Sequence, residues 1–367
     1  MSGEYRILIV STKIFIIAEA GVNHNGNLEI AHQLVDVASA SGVDAIKFQT
    51  FQTSELVTVS APKAAYQTAN VGSNLTQYEM LKNLELSVYA HRELKRYSEE
   101  KGLVFMSTGF DIPSLKFLAY DLGVSRLKVP SGELTNGPLL FEYGRTNREL
   151  IISTGMSSLD EIKLALGVVA HASLNPNEFP SNVRFLDSFC SEESQEVLQR
   201  RVTLLHCTSE YPAPIDDLNL LAIETLRKTF GLRVGYSDHS EGIFAAVAAA
   251  ALGSVVIEKH FTLDKELEGP DHRASLNPVE LGQMVEEIRK IEVALGNGNK
   301  NPTTSELITQ QAVRKSLYAK LPIEAGELFT ERNLTSKRPQ SGVSPMEYWK
   351  LLGTVSEHSY EEDEKIR

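Results

Sequence analysis

Polar residues recur at one kind of place in this chain, the end of a short apolar run. IFIIAE closes on Glu19, AIKFQ carries Lys47 and Gln49, and RLKVPSGE carries Lys128, Ser131 and Glu133. LIIST closes on Ser153 and Thr154, and VTLLH on His206. RVGYSDH closes on Ser237, Asp238 and His239, and SVVIEKH carries Glu258 and His260. Near-continuous apolar runs separated by helical patterns are expected of parallel strands covered on both faces. Reactive groups at the C-terminal ends of successive strands are what the active face of a (β/α)8 TIM barrel looks like. The eight predicted strands are 14–20, 45–50, 103–109, 126–132, 149–155, 202–207, 233–238 and 254–260.

The intervals supply helices. Leu28, Ile30, Ala31, Leu34, Val35 and Ala38 make one apolar face after the first strand. Ile162 to Val169 follows an N-cap at Ser157 or Ser158. Leu220, Leu221, Ile223 and Leu226 form the face after strand six, and Leu281 to Leu295 closes the ring. Phe244 to Leu252 is almost wholly apolar and is expected to be a buried helix. Two intervals exceed plain crossovers. In 51–102 a loop, Thr53 to Leu75, precedes two helical patterns and is expected over the active face. Residues 172–201 read as a peripheral insertion, polar at first and then helical. A barrel of about 250 residues leaves part of the 367 unused. Gly, Asn, Pro and Thr crowd LGNGNKNPTTSE, where the helical pattern stops. The predicted organisation is therefore a barrel over 1–295, a linker over 296–307 and a small unit over 308–367.

Composition narrows the class. An apolar fraction of 42% fills a sizeable core, and two cysteines do not make a disulfide framework, so a reducing, cytoplasmic setting is expected. The four apolar residues Ile7 to Val10 are too few for a signal-peptide core, and no run reaches the roughly 20 residues that span a bilayer. A formal charge of -12 argues against nucleic acid as a partner. GxGxxG and Walker motifs are absent.

Chemistry is expected at the strand ends. His239 and His260 end adjacent strands, and two neutral imidazoles there suit a borderline divalent metal. Asp238 and Glu258 are placed to orient an imidazole. Lys47 and Lys128 sit among apolar residues, where an ammonium needs an anion, and Ser131, Ser153 and Ser237 add hydroxyls. A lysine Schiff base with a carbonyl substrate is the competing use. Glu19 is a general base or a hydroxyl-binding carboxylate. Gly21 and Gly26 let the backbone turn around His24 and Asn25. His206 is either a further polar contact or a stacked barrel residue, Cys207 is expected buried, and Asp271 lies on the loop after strand eight.

IAEAGVNHNG, KFQTF, LKVPSGE, ISTGM, LLHCTSEYPAP, GYSDHSEG and EKHFTLDKELEGPDHRASL, in this order, resemble the sialic acid synthase family. The tail SLYAKLPIEAGELFTERNLTSKRPQSGVSP resembles that family's antifreeze-like SAF domain, a β-clip fold. The resemblance implies condensation of phosphoenolpyruvate with the open-chain aldehyde of N-acetylmannosamine or a related N-acetylated hexose. The product would be N-acetylneuraminate and phosphate, released with C–O cleavage. The sister reaction uses 2,4-diacetamido-2,4,6-trideoxymannose and gives N,N'-diacetyllegionaminate. By the resemblance, His239 and His260 hold Mn2+, with Mg2+ or Co2+ as alternatives. Lys47, Lys128, Ser131, Ser153 and Ser237 bind phosphoenolpyruvate, and Glu19 is the essential carboxylate with Glu133 a second candidate. Gln49, Asn74, Tyr211 and Asp271 meet the sugar. Arg338 reaches the sugar's acyl group from a partner chain, which implies a domain-swapped homodimer. Ser209 stands where some members have asparagine, and the 172–201 insertion is longer than in compact members. A Schiff-base pyruvate aldolase and a non-catalytic sugar or ice binder are the competing classes.

Overall fold

A computed structural model describes residues 13–72 and 74–367. The reading of Ile7 to Val10 therefore lies outside the described residues. Eight parallel strands close into a barrel in sequence order: β1 Phe15–Gly21, β2 Ala45–Thr50, β3 Val104–Gly109, β4 Arg126–Val129, β5 Glu149–Ser153, β6 Val202–His206, β7 Arg233–Asp238 and β8 Val256–His260. The predicted (β/α)8 fold is borne out, with strand bounds shifted by a few residues. Two of the shifts matter to the site. β4 stops at Val129 because Pro130 has no N–H to give the ladder. Ser131 and Glu133 consequently stand on a 3-10 turn, Ser131–Glu133, rather than on the strand.

Strand side chains alternate between faces, and the alternation divides the core in two. Ile17, Ala45, Met106, Ile151, Leu205 and Val256 form an apolar plug inside the ring. The intervening residues, such as Ile16, Ile46, Ile152 and Ile257, pack outward against the helices. Helix Leu28–Ala40 buries Ala31, Leu34, Val35 and Ala38, spaced as one helical face, and Asn27 caps it by accepting from Glu29 N at 2.7 Å. Ser158 caps helix Leu159–Leu174, with Glu161 completing a capping box.

Helix Phe244–Ala251 is only half buried, contrary to the expectation. It buries Ala245, Ala246, Ala249 and Ala250, while Phe244 and Leu252 are exposed. One face of a helix against one strand pair needs no more. The 172–201 region holds two helices, Asn182–Cys190 and Glu192–Arg201, the first lying in the stretch that precedes the expected helical part. It approaches helix Leu159–Leu174 so closely that a Cβ on Gly167 would stand 2.3 Å from Phe185 O. Within 51–102 the expected loop contains two short helices, Thr53–Leu56 and Ala65–Val71, before Gln77–Leu84 and Val88–Glu100.

The chain divides into two compact units between Asn297 and Gly298. Helix Thr304–Val313 begins inside the stretch read as a linker, capped by Thr303 and Glu306. The small unit pairs β9 Ser316–Ala319 with β10 Leu334–Lys337 antiparallel. Its core is Leu317, Ala319, Ile323, Phe329, Leu334, Tyr360 and Ile366. No helix among the described residues is long and apolar enough to cross a membrane.

Candidate active site

Two residues beyond the plug, on the same inner face, the strands turn polar. Ile17 is followed by Glu19, Ala45 by Lys47, Met106 by Thr108, Ile151 by Ser153 and Val256 by Glu258. Register then makes these residues neighbours around the ring: Glu19 opposite Lys47, Thr108 opposite Lys128, Ser237 opposite Glu258 and His260 opposite Glu19.

The side chains meet. Lys47 Nζ lies 2.8 Å from Glu19 Oε2 and 3.6 Å from Glu258 Oε2, and donates to Thr108 Oγ1 at 3.1 Å. Lys128 Nζ donates to Ser153 Oγ at 2.6 Å and lies 3.8 Å from Glu258 Oε1. Ser237 Oγ donates to Glu258 Oε1 at 2.9 Å. All are buried. The two carboxylates do not share one fate. Burial pushes Glu19 up to about 7, with Lys47 opposing and the Glu258 charge adding to the rise. Burial would raise Glu258 as well, but Lys128, Lys47 and the Ser237 hydroxyl hold it well below the usual carboxylate range. One carboxylate is thus a fixed counter-ion and the other is poised to exchange a proton near neutrality, a division typical of catalytic sites.

His239 and His260 stand beside this cluster with ring centroids 5.7 Å apart. His239 Nδ1 lies 2.6 Å from Thr208 O. A carbonyl only accepts, so Nδ1 carries the proton and Nε2 is left with a lone pair, 3.2 Å from Tyr211 OH. His260 Nδ1 is buried with no hydrogen-bond partner. Burial lowers His239 to about 4; burial, with His239 and Lys47 nearby, holds His260 well below its usual value. Both imidazoles are therefore neutral at neutral pH. Gly21, at φ +54°, makes room for the pair, since a Cβ there would stand 3.2 Å from His260 Cε1.

Neither carboxylate expected to orient an imidazole does so. Asp238 points to the outer face and pairs with Lys259 at 2.8 Å, while Glu258 faces the lysines. Alternation separates Asp238 from its neighbour His239, and a main-chain carbonyl, Thr208 O, orients the ring instead. His206 packs its ring tilted against Tyr236, centroids 5.8 Å apart, and bonds Leu218 O at 2.8 Å, outside the cavity lining. His24 and Asn25 shape the turn after β1, where Gly26 N donates to His24 Nδ1 at 2.9 Å.

A cavity of about 380 Å³ opens over the cluster. Glu19, Lys47, Gln49, Lys128, Ser153, Ser237, His239 and His260 line it from the strand ends. Ser131, Glu133, Ser209, Tyr211 and Asp271 line it from the loops. Gly155 N donates to Ser131 Oγ at 3.1 Å, and a Cβ on Gly155 would stand 2.3 Å from Ser209 Oγ. Asn136 Nδ2 donates to Glu133 Oε2 at 2.7 Å. Burial alone lifts Asp271 to about 6. Asn74 is exposed and outside the lining, where Gln77 takes part. Arg338, expected to serve a partner's site, is exposed on the small unit.

Sequence reasoning missed other parts. Thr108 is the polar end of β3, two residues after Met106, and period two would have found it. The apolar wall had no local signal. Leu56, Met80, Leu84 and Tyr66 come from the 51–86 excursion, and Met80 and Leu84 reach Val22 and Phe51 only through tertiary packing. The Tyr66 and Tyr211 rings lie tilted against each other with centroids 5.1 Å apart, and those of Tyr211 and His239 at 4.2 Å.

Among the described residues no group of three or more His, Cys, Asp or Glu side chains is placed to hold a metal ion.

The arrangement has known relatives. The chain is 44% identical to the N,N'-diacetyllegionaminic acid synthase of Campylobacter jejuni, over 97% of this chain and 99% of that one. It is 36% identical to the human N-acetylneuraminate-9-phosphate synthase, over 96% and 91%. Among solved structures, the N-acetylneuraminic acid synthetase of Leptospira borgpetersenii, in complex with citrate, is similar with a TM-score of 0.64 at 33% identity, covering 82% of this chain and 90% of that one. Residues 314–367 match the SAF domain and residues 34–300 match the NeuB family. By that match and by full-length identity to its members, the chain belongs to the NeuB family.

Proposed function

We propose that this chain condenses phosphoenolpyruvate with the open-chain aldehyde of an N-acetylated hexose, giving a nine-carbon acidic sugar and phosphate. The observation that carries the proposal is the buried cluster of Lys47, Lys128, Glu19 and Glu258 at the floor of a cavity whose wall also holds two neutral imidazoles. With both glutamates ionised the four charges cancel. With Glu19 protonated the cluster carries one net positive charge, which suits a small anion that also meets the Ser131, Ser153 and Ser237 hydroxyls.

In the proposed reaction C3 of the enol attacks the aldehyde carbon as the aldehyde oxygen takes the proton that Glu19 holds. Water then adds to C2 and returns one proton to the Glu19 carboxylate, and the remaining hydroxyl proton leaves with phosphate as the C2–O bond to phosphorus breaks. His239 Nε2 and His260 Nδ1, a lone pair and a buried nitrogen without a partner, suit a divalent cation such as Mn2+. When bound, such an ion supplies Lewis-acid polarisation of the aldehyde and leaves open positions for oxygen ligands. Tyr211, Gln49 and Asp271 are placed to meet the acceptor's hydroxyls. Arg338, exposed in the small unit, is proposed to serve the acyl group of the acceptor held by a second copy of the chain, which makes the working form a homodimer.

Two acceptors are open, N-acetylmannosamine and 2,4-diacetamido-2,4,6-trideoxymannose. The apolar wall around Leu56, Met80 and Leu84 favours the second, whose deoxy carbon and extra acyl group bring no hydroxyl to it, and the name of the Campylobacter relative accords. Phosphate release from phosphoenolpyruvate with each sugar tests both levels. A kcat/KM at least tenfold higher with the diacetamido sugar is expected. Release with neither sugar, or trapping by borohydride with pyruvate in a chelator-insensitive enzyme, would overturn the condensation reading in favour of a binder or a Schiff-base aldolase.

A further inference from the structure

Behind the histidines, on the opposite face of the same two strands, lies a second charged cluster that takes no part in the cavity. Asp238 and Lys259 are both fully buried, with Oδ2 and Nζ 2.8 Å apart. They are direct register partners across β7 and β8, and each immediately precedes a histidine of the pair, His239 and His260. Period two places them outside the ring. Glu258 and His260 line the cavity, whereas Lys259 does not, and its flanking outward position, Ile257, belongs to the strand–helix core. Besides the Tyr236 hydroxyl, 3.5 Å from Asp238 Oδ1, the outer layer is apolar where register carries it around the ring: Lys259 pairs with Ala18 of β1, and Ala18 with Ile46 of β2.

A buried ion pair is a poor way to gain stability, because desolvation of both ions offsets their attraction and well-packed apolar replacements are often as stable. What such a pair does supply is fixed geometry. Here the geometry extends to the turn after β7. Ser240 N and Ser240 Oγ donate to Asp238 Oδ1 at 2.9 and 2.6 Å, and Lys259 Nζ donates back to Ser240 O. His239 is thereby held between two anchored neighbours, and the end of β8 that carries His260 is tied to the same point. On the inner face His260 Nδ1 has no hydrogen-bond partner of its own, so its position depends on the strand that carries it.

We infer that Asp238 and Lys259 are positioning residues that set the separation of His239 and His260 from behind. The inference rests on the proposed use of that pair to hold a divalent cation.

The test is Mn2+ binding to the full-length protein, followed by the electron paramagnetic resonance signal of the free ion, with thermal melting and phosphoenolpyruvate affinity in parallel. The double variant Asp238→Asn/Lys259→Met removes both charges together. It is expected to melt cooperatively, to bind phosphoenolpyruvate within about threefold of wild type in the absence of metal, and to bind Mn2+ roughly 10- to 100-fold more weakly, the range typical for loss of groups that orient metal ligands. Should the double variant fail to fold, Ser240→Ala, which leaves both buried charges paired but removes the hydroxyl that ties Asp238 to the turn, carries the same measurement. Wild-type Mn2+ affinity in a variant that folds, whatever its melting temperature, would show the pair to be structural and overturn the inference alone. No Mn2+ binding by the wild type would overturn the cation reading, and this inference with it.

Discussion

Lys47 and Glu19 face each other in register across β2 and β1, and their side chains meet at 2.8 Å inside the barrel. The contact ties the ammonium best placed for an anionic substrate to the carboxylate that burial has brought close to neutrality.

One consequence is proton uptake on substrate binding. The free site holds Glu19 at about 7, and an incoming anion favours its protonated form, so phosphoenolpyruvate affinity should fall as pH rises through and above that value. Calorimetry in two buffers of different ionisation enthalpy should show uptake of up to one proton near pH 7.5. Glu19→Gln should abolish the uptake and the pH dependence while still binding the substrate and losing turnover. A pH-dependent Glu19→Gln variant would move the titration elsewhere.

Asp271 offers a stability test whose sign is fixed. Burial raises it from 3.8 to about 6. Below pH 4 the folded and unfolded states are both protonated and nothing is lost. Between 4 and 6 the unfolded chain releases its proton first, so stability falls as pH rises. Above 6 the full penalty applies, at most about 3 kcal/mol for two pKa units. Asp271→Asn should therefore be more stable than wild type above pH 6 and no more stable below pH 4, measured by urea unfolding. A uniform effect across that range would refute the buried carboxylate as its cause.

His239→Ala should reduce turnover by at least a thousandfold and remove Mn2+ binding, and a chelator should do the same reversibly to the wild type. Gly21→Ala should resemble it in weaker form, because the added Cβ strains a positive φ and presses on His260. Full activity in His239→Ala would sink the cation assignment.

For Arg338→Ala the expected outcome is selective. KM for the sugar should rise tenfold or more while that for phosphoenolpyruvate changes by less than threefold. The proposed dimer should persist in sedimentation. Equal changes in both constants would remove the proposed contact with the acyl group.

The barrel and most of its site were legible because both follow from one periodicity. An inner-face plug of Ile17, Ala45, Met106, Ile151 and Val256 ends in a single layer, and the next inner-face residue of each strand must face the cavity. That step marks Glu19, Lys47, Ser153 and Glu258 in the linear sequence. The surroundings of Asn74, exposed and outside the cavity lining, were not legible because the 51–86 excursion has no such rhythm, and its path over the barrel is set by distant contacts of Met80 and Leu84 with Val22 and Phe51.

What the sequence determined by itself is therefore the strand order, the polar ring and the residue types in it, since strand pairing and alternation are local rules repeated eight times. Only the tertiary structure decided how the charges were shared. Glu258 turned from an expected imidazole partner into the counter-ion of two lysines, Glu19 was left near neutrality, and Asp238 faced away to Lys259. Those outcomes depend on which side chains of different strands come within a few ångströms in a medium that screens charge poorly, and no single strand carries that information.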